Sequence, residues 1–176
     1  GVRAARGPGA AGRGAALAAW RAGSLGDRGW TMLGPALPFL AVAGNPVADW
    51  NAWFVAGIAM WIACVAGEAI ADRQLARFRA DPANTGKACR AGLWRYSRHP
   101  NYFFEWLHWF AYVLLAVGSP LAWLAWSGPL VMYLFLRFLS GVPFTEAQAL
   151  RTRGEDYARY QRSTPMLIPW FPKEER

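Results

Sequence analysis

The sequence predicts an all-α protein: a polytopic membrane helical bundle of about four transmembrane helices, followed by a short C-terminal amphipathic helix. The 176-residue chain is 55% hydrophobic with 11 Trp and 10 Phe, and its apolar residues fall in long runs. Its formal net charge is +8, yet of its 19 Lys and Arg residues only Arg137 lies inside an apolar run. A nucleic-acid-binding domain would interleave basic residues through a short-period amphipathic fold, so we expect no nucleic-acid partner.

Residues 1–29 are predicted to form a flexible basic tail, because they are rich in Ala, Gly and Arg and show no apolar periodicity. The glycines from Gly7 to Gly12 match the dinucleotide-binding pattern in form only. That pattern works between a strand and a helix, and no strand is predicted before it. Residues 30–176 are predicted to form the membrane-embedded domain. The chain begins with Gly1 rather than Met, so we expect it to be the C-terminal part of a longer protein.

Four apolar segments follow the tail, and they cover residues 30–44, 50–71, 100–118 and 121–142. The second is long enough to cross a bilayer as a helix. The first is short and is broken by Pro35 and Pro38, so it either spans the bilayer or is re-entrant or interfacial. Gly118-Ser119-Pro120 predicts a tight turn, which makes the last two segments an antiparallel helical hairpin.

The basic residues between these segments predict an orientation. They fall on three stretches separated by even numbers of predicted spans: the tail, the loop of residues 72–99, and the residues after the fourth segment. By the positive-inside rule all three stretches, and therefore both termini, face the cytoplasm.

The two cysteines predict no covalent or metal site. Cys64 lies inside an apolar run and Cys89 in a basic segment. Neither has metal-ligand spacing around it, so we expect no disulfide framework and no metal.

Polar side chains mark one face of the third segment. Asn101, Glu105, His108 and Tyr112 follow helical spacing. Such a stripe either holds the bundle together by hydrogen bonds or faces a functional cavity. Burial would favour the neutral acid form of Glu105, which can donate a hydrogen bond to a carbonyl oxygen or a proton to a carbanion.

Two further groups suit a ligand at the cytoplasmic end. Glu68 and Asp72 lie one helical turn apart and could accept hydrogen bonds from ribose or amide groups, although Asp72 also suits a solvated helix terminus. Pro100 predicts a helix start, which with Arg98 and His99 beside it suits an anion. Arg95 and Arg98 are otherwise ordinary positive-inside anchors.

The C-terminal stretch predicts a short amphipathic helix, followed by an apolar strap over residues 164–172 that returns to the membrane surface. Tyr157 and Tyr160 are more typical of interfacial anchors than of catalysis. An arginine of this helix, such as Arg151, could still close over a phosphate from the opposite side of a cleft.

Together these motifs resemble the steroid 5α-reductase superfamily, in particular its bacterial integral-membrane branch of unknown function. The resemblance covers roughly residues 30–172, and its central motif is specific as a block. The matching residues are Glu68 with Asp72, the run from Gly92 to Glu105, Gly154 with Tyr157 and Tyr160, and Ile168-Pro169-Trp170.

The resemblance implies a bundle in the bacterial cytoplasmic membrane that binds NADPH from the cytoplasm. It implies reduction of a conjugated carbon–carbon double bond in a lipid-soluble small molecule, with the lipid bilayer as the other partner. Asn101 would contact the nicotinamide and Glu105 would polarise the substrate carbonyl, as the two catalytic residues. The cofactor-binding residues would be Glu68, Asp72, Arg95, Arg98, His99, Asn101, Tyr102, Arg151 and Tyr160.

One departure and two alternatives stay open. Position 104 is Phe where many relatives have Gly, which is expected to narrow the floor of the site. The isoprenylcysteine carboxyl methyltransferases, which use S-adenosylmethionine, share the Arg-His-Pro-x-Tyr block and the Gly-x-x-Tyr-x-x-Tyr tail. Their chemistry does not require an acid at Glu105, so this residue favours the reductase. A non-catalytic membrane scaffold is the third hypothesis.

Overall fold

The structure, a computed structural model, describes residues 36–47, 50–139 and 141–173. These residues form helices and contain no strand, which confirms the predicted all-α class. The predicted basic tail, its glycine-rich pattern and the first residues of the first apolar segment lie outside the described residues.

Helix α1 comprises residues 36–43, the described part of the first apolar segment. Eight residues rise only about 12 Å, against the roughly 30 Å of a hydrocarbon core. The described part therefore does not cross a bilayer by itself. Ala41 of this helix is fully buried and packs with Ala116 and Ala125.

Helix α2 (Ala52–Ala80) is 29 residues long and is capped by Asn51, whose side-chain oxygen accepts a hydrogen bond from the Phe54 amide at 2.9 Å. It runs well past the predicted end of the second apolar segment. The reason is local, because neither Gly nor Pro interrupts the chain between that end and Pro82. The prediction of a loop over all of residues 72–99 is therefore wrong for its first part, which is helical.

The third apolar segment forms α3 (Pro100–Leu107) and α4 (Trp109–Leu115), which are separated at His108. The two helices together rise about 24 Å, which is shorter than a hydrocarbon core. The predicted turn follows them. Asn45 holds the chain just before it by donating hydrogen bonds to the backbone oxygens of Leu115 and Val117, at 3.0 and 3.1 Å.

The fourth apolar segment is not one uniform helix as predicted. It contains a 3-10 helix (Ala122–Trp126), α5 (Ser127–Leu134) and a π-helical turn (Phe135–Leu139). Helix α6 (Val142–Ser163) then extends over 22 residues, so the predicted short amphipathic helix is longer than expected. Gly154 kinks α6, with a φ of 53° and a ψ of −127°.

Two helical stretches, Ala52–Ala80 and Ala122–Ser163, are long and apolar enough to cross a membrane. In the second, the charged residues begin to accumulate at Glu146, so the apolar part that suits a bilayer lies before α6.

Helix α2 packs against α3 and α4 through close contacts of small and large residues, which we call the apolar interface. A Cβ added at Gly67 would lie 2.6 Å from the ring of Phe104, and one at Gly57 would lie 2.7 Å from Leu115. These pairs step along the helices in opposite directions, so α2 and α3 are antiparallel. Small residues that let helices approach closely are typical of packing in membranes.

The other end of the molecule, which we call the polar end, consists of residues 86–99, α6 and the strap of residues 164–173. Here backbone and side-chain hydrogen bonds connect the pieces. Arg98 donates its backbone N–H to Pro165 at 2.9 Å, and the Ser97 hydroxyl donates to Leu167 at 2.8 Å. The Asp156 carboxylate accepts a hydrogen bond from the Ala88 amide at 2.6 Å and pairs with Arg90 at 3.2 Å. Residues 86–99 are thereby fixed to α6 and to the strap.

Candidate cofactor cleft

A cleft of about 320 Å³ opens where the end of α2, residues 86–99, the start of α3 and α6 meet. This volume lies at the lower end of the roughly 300–1,000 Å³ of typical ligand sites. Its polar and ionisable lining residues are Asp72, Arg79, Lys87, Cys89, Arg98, His99, Asn101, Tyr102, Thr145, Arg153, Tyr157 and Tyr160. Six residues predicted from the sequence are among them: Asp72, Arg98, His99, Asn101, Tyr102 and Tyr160.

One end of the cleft, around Cys89, is cationic. Arg79 and Arg153 both lie within electrostatic range of the Cys89 thiol, and Lys87 is two positions from it in the chain. None of the three has an ion-pair partner among the described residues. Arg79 lies two helical turns beyond Asp72 on α2, a rise of about 10 Å. The cleft thus has cations without a carboxylate partner at one end and Asp72 at the other.

The Asp72 end carries a hydrogen-bonded polar pair. The Asn101 amide nitrogen donates to the Asp72 carboxylate at 3.2 Å. The Asn101 amide oxygen is buried and has no hydrogen-bond partner among the described residues, and the same holds for the Nε of Arg98. Buried polar atoms are rarely left unpaired, so a donor for Asn101 and an acceptor for Arg98 fit a ligand at this place.

Glu68 and Glu105 lie one helical turn further from the cleft than Asp72 and Asn101, on α2 and α3 respectively. Both are half-buried, and Glu105 lies within electrostatic range of Glu68 and Asp72. Neither is among the described residues that line the cleft. The ring of Phe104 lies against Gly67 at this level, so it fills the α2–α3 contact instead of forming the floor of the cleft.

The rest of the predicted polar stripe contacts aromatic rings. His108 lies 5.1 Å from Trp109, and Tyr112 lies 4.9 Å from Phe39, measured between ring centroids. These contacts fit helix packing.

Two further predicted cofactor residues lie away from the cleft. Arg95 and Arg151 are exposed, and neither lines the cleft in the described part of the chain. The arginine of α6 that lines it is Arg153. Arg153 follows the lining residues Thr145 and Ala149 at successive steps of four, so it shares their helix face, whereas Arg151 lies on another face.

The predicted phosphate-binding pair Arg98 and His99 already has a protein partner. Arg98 and His99 both contact the same carboxylate oxygen of Glu146, each at 3.2 Å. Burial of the Glu146 carboxyl acts to raise its pKa, but the hydrogen bond from His99 and the charge of Arg98 outweigh this and hold the pKa below its usual range.

Two tyrosines of α6 close the cleft. The Tyr160 hydroxyl donates to the backbone oxygens of Trp94 and Ser97, so its proton is engaged in hydrogen bonds within the protein. Burial raises the pKa of Tyr157 to about 12, with a further contribution from the Glu146 charge. Burial also raises the pKa of the Cys89 thiol. At neutral pH these three groups are therefore uncharged.

The family model described as "Protein of unknown function (DUF1295)" matches residues 30–164. The chain belongs to this family. None of the curated proteins and none of the solved structures matches the chain. The family match includes all the residues that line the cleft and ends at the first residue of the strap.

Four residues important for the cleft were not predicted from the sequence: Arg79, Lys87, Glu146 and Arg153. Arg79 had a signal, because it follows Asp72 at the i, i+7 spacing of one helix face. Finding it required α2 to continue past residue 71. Glu146 had none, because its partner His99 is 47 positions away in the chain.

Proposed function

We propose that this protein is a membrane-embedded, NADPH-dependent reductase of a conjugated carbon–carbon double bond in a lipid or steroid-like substrate. The observation that carries the proposal is the division of one cleft between two kinds of chemistry. Arg79, Lys87 and Arg153 supply cations at one end, and the Asp72 carboxylate and the Asn101 amide supply hydrogen-bonding groups at the other. A dinucleotide has the same division, with phosphates at one end and an uncharged nicotinamide amide at the other.

The residues present fit this cofactor. The unpaired oxygen of Asn101 can accept from the carboxamide N–H₂, and the unpaired Nε of Arg98 can donate to a phosphate oxygen. NADPH supplies a hydride when it is bound. Since the cleft is small and open, a dinucleotide would fill it and extend over its rim.

Glu105 would act on the substrate. It lies about 6 Å further along α3 than Asn101, towards the apolar interface. As a neutral acid it would donate a hydrogen bond to the substrate carbonyl and draw electrons away from the conjugated double bond. With the cofactor bound, one carbon of that bond would gain its hydride and the other would gain a proton from Glu105, which water would then reprotonate. The products would be a saturated carbonyl compound and the oxidised cofactor.

The same proposal includes four membrane spans in a bacterial cytoplasmic membrane, with both termini and residues 72–99 on the cytoplasmic side. Contacts at the polar end support this orientation. Arg90 of the middle basic stretch pairs with Asp156 of the C-terminal basic stretch, so these two stretches lie at one end of the molecule. A water-soluble cofactor would then enter from the cytoplasm, and a lipid-soluble substrate from the bilayer.

The proposal also relates this DUF1295 protein to the steroid 5α-reductase superfamily. The methyltransferase alternative is less well supported by the cleft. S-adenosylmethionine carries a sulfonium cation and no phosphate, so three cations without an ion-pair partner among the described residues are a poor match for it. The scaffold alternative leaves the unpaired atoms of Asn101 and Arg98 without an explanation.

Ligand binding to the purified protein in nanodiscs tests the proposal. We expect saturable NADPH binding and no competition by S-adenosylmethionine. Arg153→Ala should weaken NADPH binding about tenfold or more, because it removes a charged hydrogen-bond donor. Arg151→Ala is the matched control on the same helix and should change nothing. Saturable S-adenosylmethionine binding without NADPH binding would overturn the reductase proposal, and binding of neither would favour the scaffold.

A further inference from the structure

Glu146 is the centre of a buried network behind the cleft. One carboxylate oxygen contacts Arg98 Nη2 and His99 Nε2, each at 3.2 Å, and the other accepts from Gln161 Nε2 at 2.9 Å. The exposed fractions of the side chains are 11% for Arg98 and 17% for Glu146, and 6% for His99. At this burial an unpaired charge is costly, so each partner constrains the position of the others.

Glu146 is not itself among the described residues that line the cleft, whereas Arg98 and His99 are. Its carboxylate therefore lies behind the two side chains that face the ligand space. Because Glu146 and Gln161 lie on opposite sides of the kink at Gly154, their hydrogen bond also connects the two halves of α6.

We infer that Glu146 is a positioning residue, which holds Arg98 and His99 in the orientation that a phosphate-bearing ligand requires. The inference rests on the proposed function for the identity of that ligand. Glu146 uses one end of the Arg98 guanidinium and leaves its Nε unpaired at the cleft. Its contact with His99 Nε2 selects the ring form that carries hydrogen on this nitrogen.

The contact between Glu146 and His99 also affects Tyr102, a second residue that lines the cleft. The His99 ring lies parallel to the ring of Tyr102, with centroids 5.3 Å apart and an interplanar angle of 9°. The backbone N–H of His99 donates to the Ser97 hydroxyl at 3.1 Å. His99 is thus held both at its backbone and at its ring Nε2. Its ring therefore provides a fixed surface on which the Tyr102 ring stacks.

The charges explain why Glu146 orients the neighbouring side chains and does not attract the ligand. Arg98 and Glu146 form a neutral pair, so the net positive charge of the cleft comes from Arg79, Lys87 and Arg153. Glu146 therefore cancels one positive charge of the cleft, while it fixes the position of the Arg98 side chain. If Glu146 instead competed with the ligand for Arg98, its removal would strengthen ligand binding.

A double-mutant cycle tests the inference with NADPH affinity as the readout. We expect Glu146→Gln and Arg98→Ala each to raise the Kd about tenfold, the equivalent of one lost hydrogen bond to a charged group. The double variant should bind more tightly than the product of the two single losses predicts, because Glu146 acts in part through Arg98. Glu155→Gln, which breaks an exposed pair with Arg162 on the same helix, is the control and should leave the Kd unchanged. Multiplied effects in the double variant, or tighter binding by Glu146→Gln, would overturn the inference.

A measurement without ligand separates this inference from the proposed function. The chain has 2 histidines, so the side-chain nitrogen NMR signals of His99 can be assigned with His108→Gln as reference. In the wild type we expect hydrogen on His99 Nε2, and in Glu146→Leu a redistribution between the two ring nitrogens. An unchanged His99 signal in a folded Glu146→Leu protein refutes the positioning role, whether or not NADPH binds. A changed signal together with no NADPH binding by the wild type would refute the reductase proposal and keep Glu146 as the residue that orients His99.

Discussion

The apolar interface and the polar end are held together in different ways. At the apolar interface α2 contacts α3 and α4 through glycines that accept large side chains, as at Gly67 and Phe104. At the polar end, residues 86–99 are connected to α6 and the strap by hydrogen bonds and ion pairs. The stability of the apolar interface depends on the complementary shape of its side chains. The stability of the polar end depends on hydrogen-bond and ion-pair partners for its polar groups.

In the membrane setting that we propose, this difference follows from the two solvents. In lipid the hydrophobic effect does not drive helices together, so close packing and van der Waals contact have to supply the association. At the polar end backbone groups leave water on folding, and each one needs a hydrogen-bond partner. An acid such as Glu105 towards the apolar interface is the exception, and it is there that we expect the chemistry.

The largest expected effect concerns this exception. Glu105→Gln should lower turnover by about 10²–10⁴-fold, because the amide keeps the size of the acid but has no proton to donate. The Gln amide can still donate a hydrogen bond to the substrate carbonyl but cannot release a proton, so the loss measures proton transfer. NADPH affinity and thermal stability should stay at the wild-type level. The measurement is loss of NADPH absorbance with a lipid-soluble enone. Tyr112→Phe, on the same helix face, is the control. A large loss of stability with unchanged turnover would instead assign Glu105 to packing.

At the apolar interface a single methyl group should matter. Gly67→Ala places its Cβ against the rigid Phe104 ring, so we expect it to destabilise the protein by about 1–3 kcal/mol. Phe104→Ala in the same chain makes room, and the double variant should lose less stability than the sum of the two single variants. Thermal unfolding in nanodiscs measures this, with Ala66→Val on the exposed side of α2 as the control. Additive losses would contradict direct contact.

At the polar end, removing one hydroxyl group without changing the shape of the side chain should lower the stability of the protein. Tyr160→Phe removes only the hydroxyl and leaves the backbone oxygens of Trp94 and Ser97 without this donor. We expect a loss of about 1–3 kcal/mol in the free energy of unfolding, the usual cost of an unsatisfied buried group. The same unfolding assay applies, with the exposed Tyr96→Phe beside it. If Tyr160→Phe left the free energy of unfolding unchanged, hydrogen bonding would not be what distinguishes the polar end from the apolar interface.

The smallest expected effect is a pH dependence at the polar end. The pKa of Glu146 is lower in the folded protein than in the unfolded chain, so its contribution to stability is present above the ordinary Glu pKa of about 4.3. It is lost as the pH falls through the lower folded value. Melting temperatures measured from neutral pH downwards should therefore fall less steeply for Glu146→Gln than for the wild type. Parallel curves would show that this carboxyl is not held by His99 and Arg98.

Much of the apolar half could be predicted from the sequence, and less of the polar half. The length of the second apolar run predicted most of α2, because helix formation in an apolar run depends on local composition. From the sequence Arg151 and Arg153 were equivalent candidates, since both lie on one amphipathic stretch. The choice depends on which face of α6 packs over the cleft, and that face carries Arg153 together with Thr145 and Ala149.

By itself, the sequence determined the helical class, the position of the apolar runs and the block from Gly92 to Glu105 that carries five of the cleft-lining residues. Each of these depends on neighbours in the chain, through hydrophobic periodicity and charge. Only the tertiary structure decided that Arg79, Lys87 and Arg153 meet at one end of the cleft, and that Glu146 holds Arg98 and His99. These contacts join residues far apart in the chain, and a buried charge finds its partner through the fold, where no sequence spacing records it.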